Sequence, residues 1–129
     1  MQIDHVAIWT RNIERLRAFF VSCFGATAGP RYVNPAKQFV SYFLTFESGA
    51  RLELMSAPSI HACPQRVHAN EAGHAHLAIS VGSRERVDEL TASLRAAGVP
   101  VVDGPRQTGD GYYESAIVDP DGNRIEITA

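Results

Sequence analysis

Three features that assign many proteins to a class are missing from this sequence of 129 residues. Basic residues form no cluster and the formal net charge is −2, so we expect neither a nucleic-acid partner nor binding to a membrane surface. No apolar stretch approaches the roughly 20 residues that a membrane-spanning helix requires. The first ten residues, MQIDHVAIWT, lack the basic start and apolar run of a signal peptide, which predicts a cytoplasmic protein of bacterial type.

Cysteine is scarce, with only two residues in the chain. Cys23 falls in a predicted helix and Cys63 in a predicted loop, and no second pair is present to complete a CxxC…CxxC zinc site. We interpret both as free thiols in a reducing compartment. His61 and His68 lie near Cys63, but loop His and Cys without a fixed spacing are usually incidental, so we assign no second metal site there.

The overall composition is typical of a soluble globular fold. Hydrophobic residues make up 45% of the chain and charged residues 20%, which is enough for a sizeable core. The length suits one domain over residues 1–129, or two half-sized units that share a core.

A repeated pattern divides the chain into two halves. The hexapeptides GARLEL (49–54) and GNRIEI (122–127) both read Gly, any residue, Arg, Leu or Ile, Glu, Leu or Ile. HVAI (5–8) likewise recurs as HLAI (76–79). Each copy therefore contains one His and one Glu at matching places, which predicts a duplicated module.

Each copy also predicts the same order of elements, β-α-β-β-β. In the first, a helix over 12–24 ends at Gly25 and buries Ile13, Leu16, Phe20 and Phe24; strands are predicted at 2–9, 31–34, 38–47 and 50–56. In the second, a helix over 83–97 begins at Ser83, ends at Gly98 and buries Val87, Leu90 and Leu94; strands are predicted at 74–81, 99–103, 112–118 and 123–128, the last two joined by a turn at 119–122. We place module one at about 1–57, a linker at about 58–73 and module two at about 74–129.

Strand alternation places the repeated polar residues on the face turned away from the helices. His5, Glu53, His76 and Glu126 would all line one cleft if the two sheets curve toward each other. Taken singly, each is more simply a solvated residue. As a duplicated set they suit a divalent transition metal, because two carboxylates facing each other in a partly buried cleft repel strongly without a cation. Four protein ligands on an octahedral ion leave two positions for water or substrate oxygens.

These motifs resemble those of the vicinal oxygen chelate superfamily, which contains glyoxalase I, fosfomycin- and bleomycin-resistance proteins and extradiol dioxygenases. The similarity runs from IDHVAIWTRNIERLRAFF through LELM and GHAHLAISV to VDPDGNRIEIT, nearly the whole chain. It implies an α+β fold in which two paired βαβββ modules form a cupped mixed sheet around a metal cleft. It places the metal ligands on His5, Glu53, His76 and Glu126, for one divalent ion such as Zn, Ni, Co, Mn or Fe.

Acids at both Glu positions resemble glyoxalase I most, because fosfomycin-type and dioxygenase members generally use two His and one Glu. The implied reaction converts a hemithioacetal to a thioester: the metal acidifies the C–H next to the carbonyl, and Glu126, or its counterpart Glu53, takes the proton. Glutathione or another thiol is the implied co-substrate. The chain has Trp9 where glutathione-using members have an Arg, and it lacks their Asn after the second ligand, so the thiol stays open. Arg11 is a candidate substitute for the Arg.

The Gly-rich segment 104–114 predicts a lid or a substrate-contacting loop beside the cleft. Arg106, Tyr112 and Tyr113 are candidates for binding an anionic or aromatic substrate group, and Trp9 for lining the cleft. The alternative is a plain hairpin loop with one Tyr packed and the other exposed.

Three functional hypotheses follow. The first is a metal-dependent, glyoxalase I-like lyase acting on a small molecule. The second is a dioxygenase or epimerase activity built on the same residues, and the third is a non-catalytic binding or resistance protein. The linker length permits a ligand set formed within one chain or shared across a homodimer, and two His with two acids accept several metals.

Overall fold

The computed structural model describes residues 1–61 and 72–129. Cys63, His68 and most of the predicted linker lie outside these residues. The described part of the chain contains these elements in order: β1 (His5–Trp9), α1 (Ile13–Phe24), β2 (Thr27–Ala28), β3 (Tyr32–Asn34), a 3-10 helix (Pro35–Lys37), β4 (Phe39–Thr45), β5 (Arg51–Ser56), β6 (Leu77–Ser80), α2 (Arg84–Ala96), β7 (Val101–Gln107), β8 (Tyr113–Val118) and β9 (Arg124–Thr128).

The chain divides into two compact units, Met1–Pro64 and Gln65–Ala129. In the first, the sheet order is β1-β5-β4-β2, and β3 also pairs with β4. β1 runs parallel to β5, while the other pairs are antiparallel. The second unit repeats the arrangement with the order β6-β9-β8-β7, in which β6 runs parallel to β9. The predicted α+β fold of two βαβββ modules is therefore confirmed.

Helix α1 covers one face of the first sheet because its ends and its apolar stripe are both encoded locally. The Asn12 side chain accepts a hydrogen bond from the Arg15 backbone N–H, and Gly25 ends the helix with a left-handed φ of 65°. The side chains buried on the helix and on the sheet, with at most 9% exposure, include Leu16, Phe19 and Phe20 of α1 and Leu44, Leu52 and Leu54 of the strands. Since Leu52 and Leu54 face the helix, Glu53 between them faces away.

Ser83 caps the N-terminus of helix α2, as predicted, because its hydroxyl accepts a hydrogen bond from the Arg86 N–H. Its buried residues are Val87, Thr91 and Leu94. The sequence assigned Leu90 to this stripe, but Leu90 is only half-buried, and Thr91 takes the buried place because its hydroxyl lies 2.6 Å from that of Ser115 in β8. A buried hydroxyl pair of this kind satisfies both polar groups inside an apolar layer.

The prediction of a loop beginning at Gly104 is wrong, because β7 continues through Gly104 and Pro105 to Gln107 with two shifts of register against β8. Gly104 has a φ of +69°, and a Cβ there would lie 2.5 Å from the Glu114 carbonyl oxygen. The glycine thus allows a close approach of two strands in a bulge. Only the short segment 108–112 remains as the connection between β7 and β8.

The sequence also missed the two-residue strand β2 and the 3-10 helix, which are too short to produce a periodic signal. Within the described residues, neither helix has the length and apolar character needed to cross a membrane.

Candidate functional site

In the first unit, the repeated His and Glu lie on the helix-free face, the side of the sheet that α1 does not cover. β1 and β5 are parallel neighbours, with Ala7 directly beside Glu53, so His5 and Glu53 project from adjacent strands on the same side. The His5 Nε2 lies 3.8 Å from the Glu53 Oε2, and the side chains are 40% and 15% exposed. The sequence therefore placed this pair correctly on one face.

The other ring nitrogen of His5 is engaged by its chain neighbour. The His5 Nδ1 lies 2.8 Å from the Asp4 Oδ2, and the Arg51 guanidinium donates to the same oxygen at 2.5 Å. These two hydrogen bonds, that from His5 first, hold the pKa of Asp4 below its usual value. Phe43 meets the His5 ring edge-on with centroids 5.4 Å apart, and the Arg51 guanidinium lies 4.3 Å from the Phe43 ring centroid.

The second unit holds the matching pair on its own helix-free face. The His76 Nε2 lies 3.1 Å from the Glu126 Oε2, with 40% and 12% of the side chains exposed. The Arg124 Nε donates to the other carboxylate oxygen, Oε1, at 3.3 Å. Arg124 also lies 3.7 Å from Asp103 of β7, so Glu126 borders a network of charged side chains.

Arg106 and Glu114 complete this network. Arg106 donates through Nε and NH2 to the Asp103 carboxylate, at 3.1 and 2.7 Å, and this hydrogen bonding lowers the pKa of Asp103. Burial, followed by the charge of Glu126, raises the pKa of Glu114. The Arg106 guanidinium is thus bound to an acid of its own chain, and an anionic substrate group would compete with that acid for it.

The aromatic residues predicted to contact substrate are placed in different surroundings. Trp9 shares the helix-free face of the first sheet with His5, is 49% exposed and packs edge-on against Phe39 at 6.0 Å between centroids. Tyr112 is 56% exposed in the β7–β8 connection. Tyr113 points to the helix side of its sheet, where its hydroxyl donates to Asp88 of α2 at 2.8 Å.

Arg11, the candidate substitute for the missing Arg, lines an open cavity of about 380 Å³ in the first unit. The strand residues that line it, Val40 and Ser56, are direct partners across β4 and β5. Their strand parity is that of Leu54, not of Glu53, so alternation places this cavity off the face that carries His5 and Glu53.

The donor atoms of the two pairs suit a divalent transition metal, since each pair combines an imidazole nitrogen with a carboxylate oxygen on the same face. Among residues 1–61 and 72–129, however, no three His, Cys, Asp or Glu side chains are grouped as a metal site would require. The structure brings the predicted ligands together as one pair in each unit. A site that combines all four remains a prediction.

The chain matches a known protein family over nearly its whole length. The family described as "Glyoxalase/Bleomycin resistance protein/Dioxygenase superfamily" matches residues 2–127. No curated protein is significantly similar to the chain in sequence.

Solved structures resemble the chain over nearly its whole length. A glyoxalase family protein from Enterococcus faecalis is 25% identical, with a TM-score of 0.79, covering 99% of this chain and 97% of that one. The trypanothione-dependent glyoxalase I of Leishmania major is 24% identical, with a TM-score of 0.78 and coverage of 99% and 86%. Glyoxalase I from Zea mays is 19% identical at a TM-score of 0.81, and the match covers 98% of this chain but 44% of the maize protein.

Proposed function

Because the chain belongs to the glyoxalase/bleomycin resistance protein/dioxygenase superfamily, we propose that it is a metal-dependent lyase of glyoxalase I type. The observation that supports this most directly is the repeated pair of donor atoms. His Nε2 and Glu Oε2 lie 3.8 Å apart in the first unit and 3.1 Å apart in the second. A single such pair is common on a protein surface, whereas its recurrence at the matching place of a duplicated module favours a common function for both pairs.

In this proposal His5, Glu53, His76 and Glu126 together hold one divalent ion, Zn, Ni, Co, Mn or Fe. When bound, the ion would polarise the carbonyl of a hemithioacetal, or of another substrate with two vicinal oxygens, and so acidify the neighbouring C–H. Glutathione or a different thiol supplies the sulfur of this substrate.

The chain's own part is to move the proton. The Glu126 carboxylate accepts the proton from the carbon that bears sulfur, and the proton returns to the adjacent carbon to give the thioester, so the reaction is an isomerisation without net loss of atoms. Arg124 is well placed to hold the Glu126 carboxylate in orientation, because it donates to Oε1 and leaves Oε2 directed at His76. Glu53 is the corresponding acid of the other pair.

Substrate contacts are proposed on both units. Trp9 offers an exposed aromatic surface on the same face as His5. Arg106 and Tyr112 lie at or beside the connection that follows β7. Tyr113 would contact a substrate only through its backbone groups, because its hydroxyl donates a hydrogen bond to Asp88.

Two assemblies would unite the donor pairs: one chain alone, or a homodimer in which each chain supplies one pair. A complementation experiment distinguishes them. Chains carrying His5→Gln and Glu53→Gln are co-expressed with chains carrying His76→Gln and Glu126→Gln. A shared site predicts that the mixed dimer regains one intact metal site, while a site within one chain predicts none.

The reaction itself is tested on protein stripped of metal and reloaded separately with Ni, Co and Zn. Hemithioacetals of methylglyoxal with glutathione and two other small thiols are followed by thioester absorbance. We expect turnover with at least one pair of metal and thiol, a loss of about 100-fold or more in Glu126→Gln, and near-normal turnover in the control Glu89→Gln, whose side chain pairs with Arg86 on α2. Absence of turnover with every metal and thiol would remove the lyase proposal.

A second candidate function is a non-catalytic small-molecule binding protein. It is favoured by the exposed aromatic patch on the first sheet, where Phe39 packs edge-on against both Trp9 and Tyr32. Exposed aromatic surface beside polar groups is typical of binding sites. Tight ligand binding that persists in a chelator, without turnover, would support this function over the lyase.

A further inference from the structure

The two histidines of the repeat are held differently, although their local sequences match. His5 is preceded by Asp4, whereas His76 is preceded by Ala75, which has no hydrogen-bonding side chain. We propose that Asp4 and Arg51 are positioning residues that fix the His5 imidazole with its proton on Nδ1, so that the Nε2 lone pair faces Glu53, and that His76 is not fixed in this way.

The tautomer follows from the hydrogen bond between Asp4 and His5. An ionised carboxylate can only accept, so the ring nitrogen 2.8 Å from the Asp4 Oδ2 must carry a hydrogen. In a neutral imidazole the other nitrogen then has a free lone pair. That nitrogen is Nε2, which is directed at the Glu53 carboxylate 3.8 Å away.

Asp4 is itself held in place by Arg51 through two contacts. The Arg51 side chain donates to the Asp4 Oδ2, and the Arg51 backbone N–H donates to the Asp4 carbonyl at 3.0 Å. The Arg51 guanidinium also lies over the Phe43 ring, and Phe43 contacts the edge of the His5 ring. The His5 ring is therefore bounded by a hydrogen bond on one side and an aromatic ring on another, and both contacts favour the observed ring orientation.

The second copy uses its arginine for a different purpose. Arg124 occupies the same place in GNRIEI that Arg51 occupies in GARLEL. Its guanidinium contacts Glu126 and Asp103, not a residue next to the histidine. Arg51 therefore acts on the histidine of its unit through Asp4, whereas Arg124 contacts the glutamate of its unit directly.

The consequence for a bound metal rests on the proposed function. Carboxylates that orient a ligating histidine typically contribute 10–100-fold in metal affinity. We therefore expect Asp4→Ala to weaken divalent metal binding by about 10–100-fold. Asp4→Asn, whose amide oxygen still accepts a hydrogen bond, should lose less.

The tautomer is tested without any metal, by ¹⁵N NMR of the imidazole nitrogens in metal-free protein near pH 8. Among the signals of the five histidines, those of His5 and His76 are assigned with His5→Gln and His76→Gln variants. We expect His5 in the Nδ1–H form in the parent protein and in Asp4→Asn, and a shift toward the Nε2–H form in Asp4→Ala, with His76 unchanged. Glu47→Ala is the matched control, because Glu47 is an exposed acid of the same unit that lies outside this cluster.

Three NMR results would overturn the inference: a parent protein with His5 in the Nε2–H form, a parent protein with both His5 nitrogens protonated near pH 8, or an Asp4→Ala variant with the parent tautomer. Metal affinity is then measured by competition with a coloured chelator. A shifted tautomer with undiminished affinity would overturn the extension to metal binding. If the parent protein takes up no ion at all, the proposed function fails, while the NMR comparison still decides the role of Asp4.

Discussion

If the proposed metal site exists, removal of one carboxylate should take away most of the stabilisation that a bound ion would give. Glu126 is the residue to change, because its side chain is only 12% exposed and its Oε2 lies 3.1 Å from the His76 Nε2. Glu126→Gln keeps the shape of the side chain and the acceptor for Arg124, but it removes the negative charge. The expected effect is therefore on metal binding more than on folding of the metal-free chain.

The size of the effect can be worked out from linkage. An ion present at 100 times its dissociation constant stabilises the folded state by about 2.7 kcal/mol. With about 2.1 cal/mol/K of unfolding entropy per residue, a chain of 129 residues gains roughly 10 °C in melting temperature. If Glu126→Gln weakens binding about 100-fold, the same concentration equals the new dissociation constant, and the gain falls to about 0.4 kcal/mol, or roughly 1.5 °C.

The assay is a thermal denaturation of metal-free protein with and without Zn, Ni, Co, Mn or Fe(II). Glu89→Gln is the control, because Glu89 lies on α2 of the same unit, paired with Arg86 and away from the helix-free face. It should keep the full shift relative to its own metal-free form. A full shift in Glu126→Gln, or equal losses in the two variants, would refute the assignment of Glu126 as a ligand.

Three further predictions concern the scaffold. Thr91→Val should cost about 1–3 kcal/mol, because it leaves the buried Ser115 hydroxyl without its partner. Ser115→Ala should cost less, because the Thr91 hydroxyl still donates to the Val87 carbonyl at 2.6 Å. In urea denaturation the double variant should cost less than the sum, and strict additivity would contradict the pairing. The hydrogen bond from Arg106 lowers the pKa of Asp103 from 3.8, so the ion pair stabilises the fold above pH 3.8 and this stabilisation is lost as the pH falls further. Asp103→Asn should therefore be less stable than the parent by under about 1 kcal/mol at pH 7, and the difference should shrink in acid. A difference that persists in acid would argue against the ion pair. Gly104→Ala should lower the melting temperature more than Gly49→Ala, because both have positive φ but only the first meets a backbone oxygen, and equal losses would speak against the close strand contact.

The parts of the fold that the sequence predicted are those encoded by neighbouring residues. Alternation in GARLEL and GNRIEI was enough to turn Glu53 and Glu126 away from the helices, because strand geometry allows only two directions for a side chain. The caps at Ser83 and Gly25 were readable for the same reason, since each acts on backbone groups within one turn.

The parts that it did not predict depend on partners distant in the chain. Arg51 and Arg124 stand in the same local sequence, yet one binds Asp4 and the other Glu126, and only the fold decides between them. The direction of Tyr113 likewise depends on the register of β8, which places its hydroxyl against Asp88 of α2. The extension of β7 through Gly104 required knowing how closely β8 approaches.

Trp9 is the only tryptophan in the chain, and it sits half-exposed two strand positions beyond Ala7 on the face that carries His5. Excitation near 295 nm will therefore report from that face alone. Quenching or a spectral shift caused by an ion or small molecule that binds beside Trp9 can therefore be followed without a dye or a label. Trp9 thus serves as an intrinsic fluorescence probe on the face that carries His5 and Glu53.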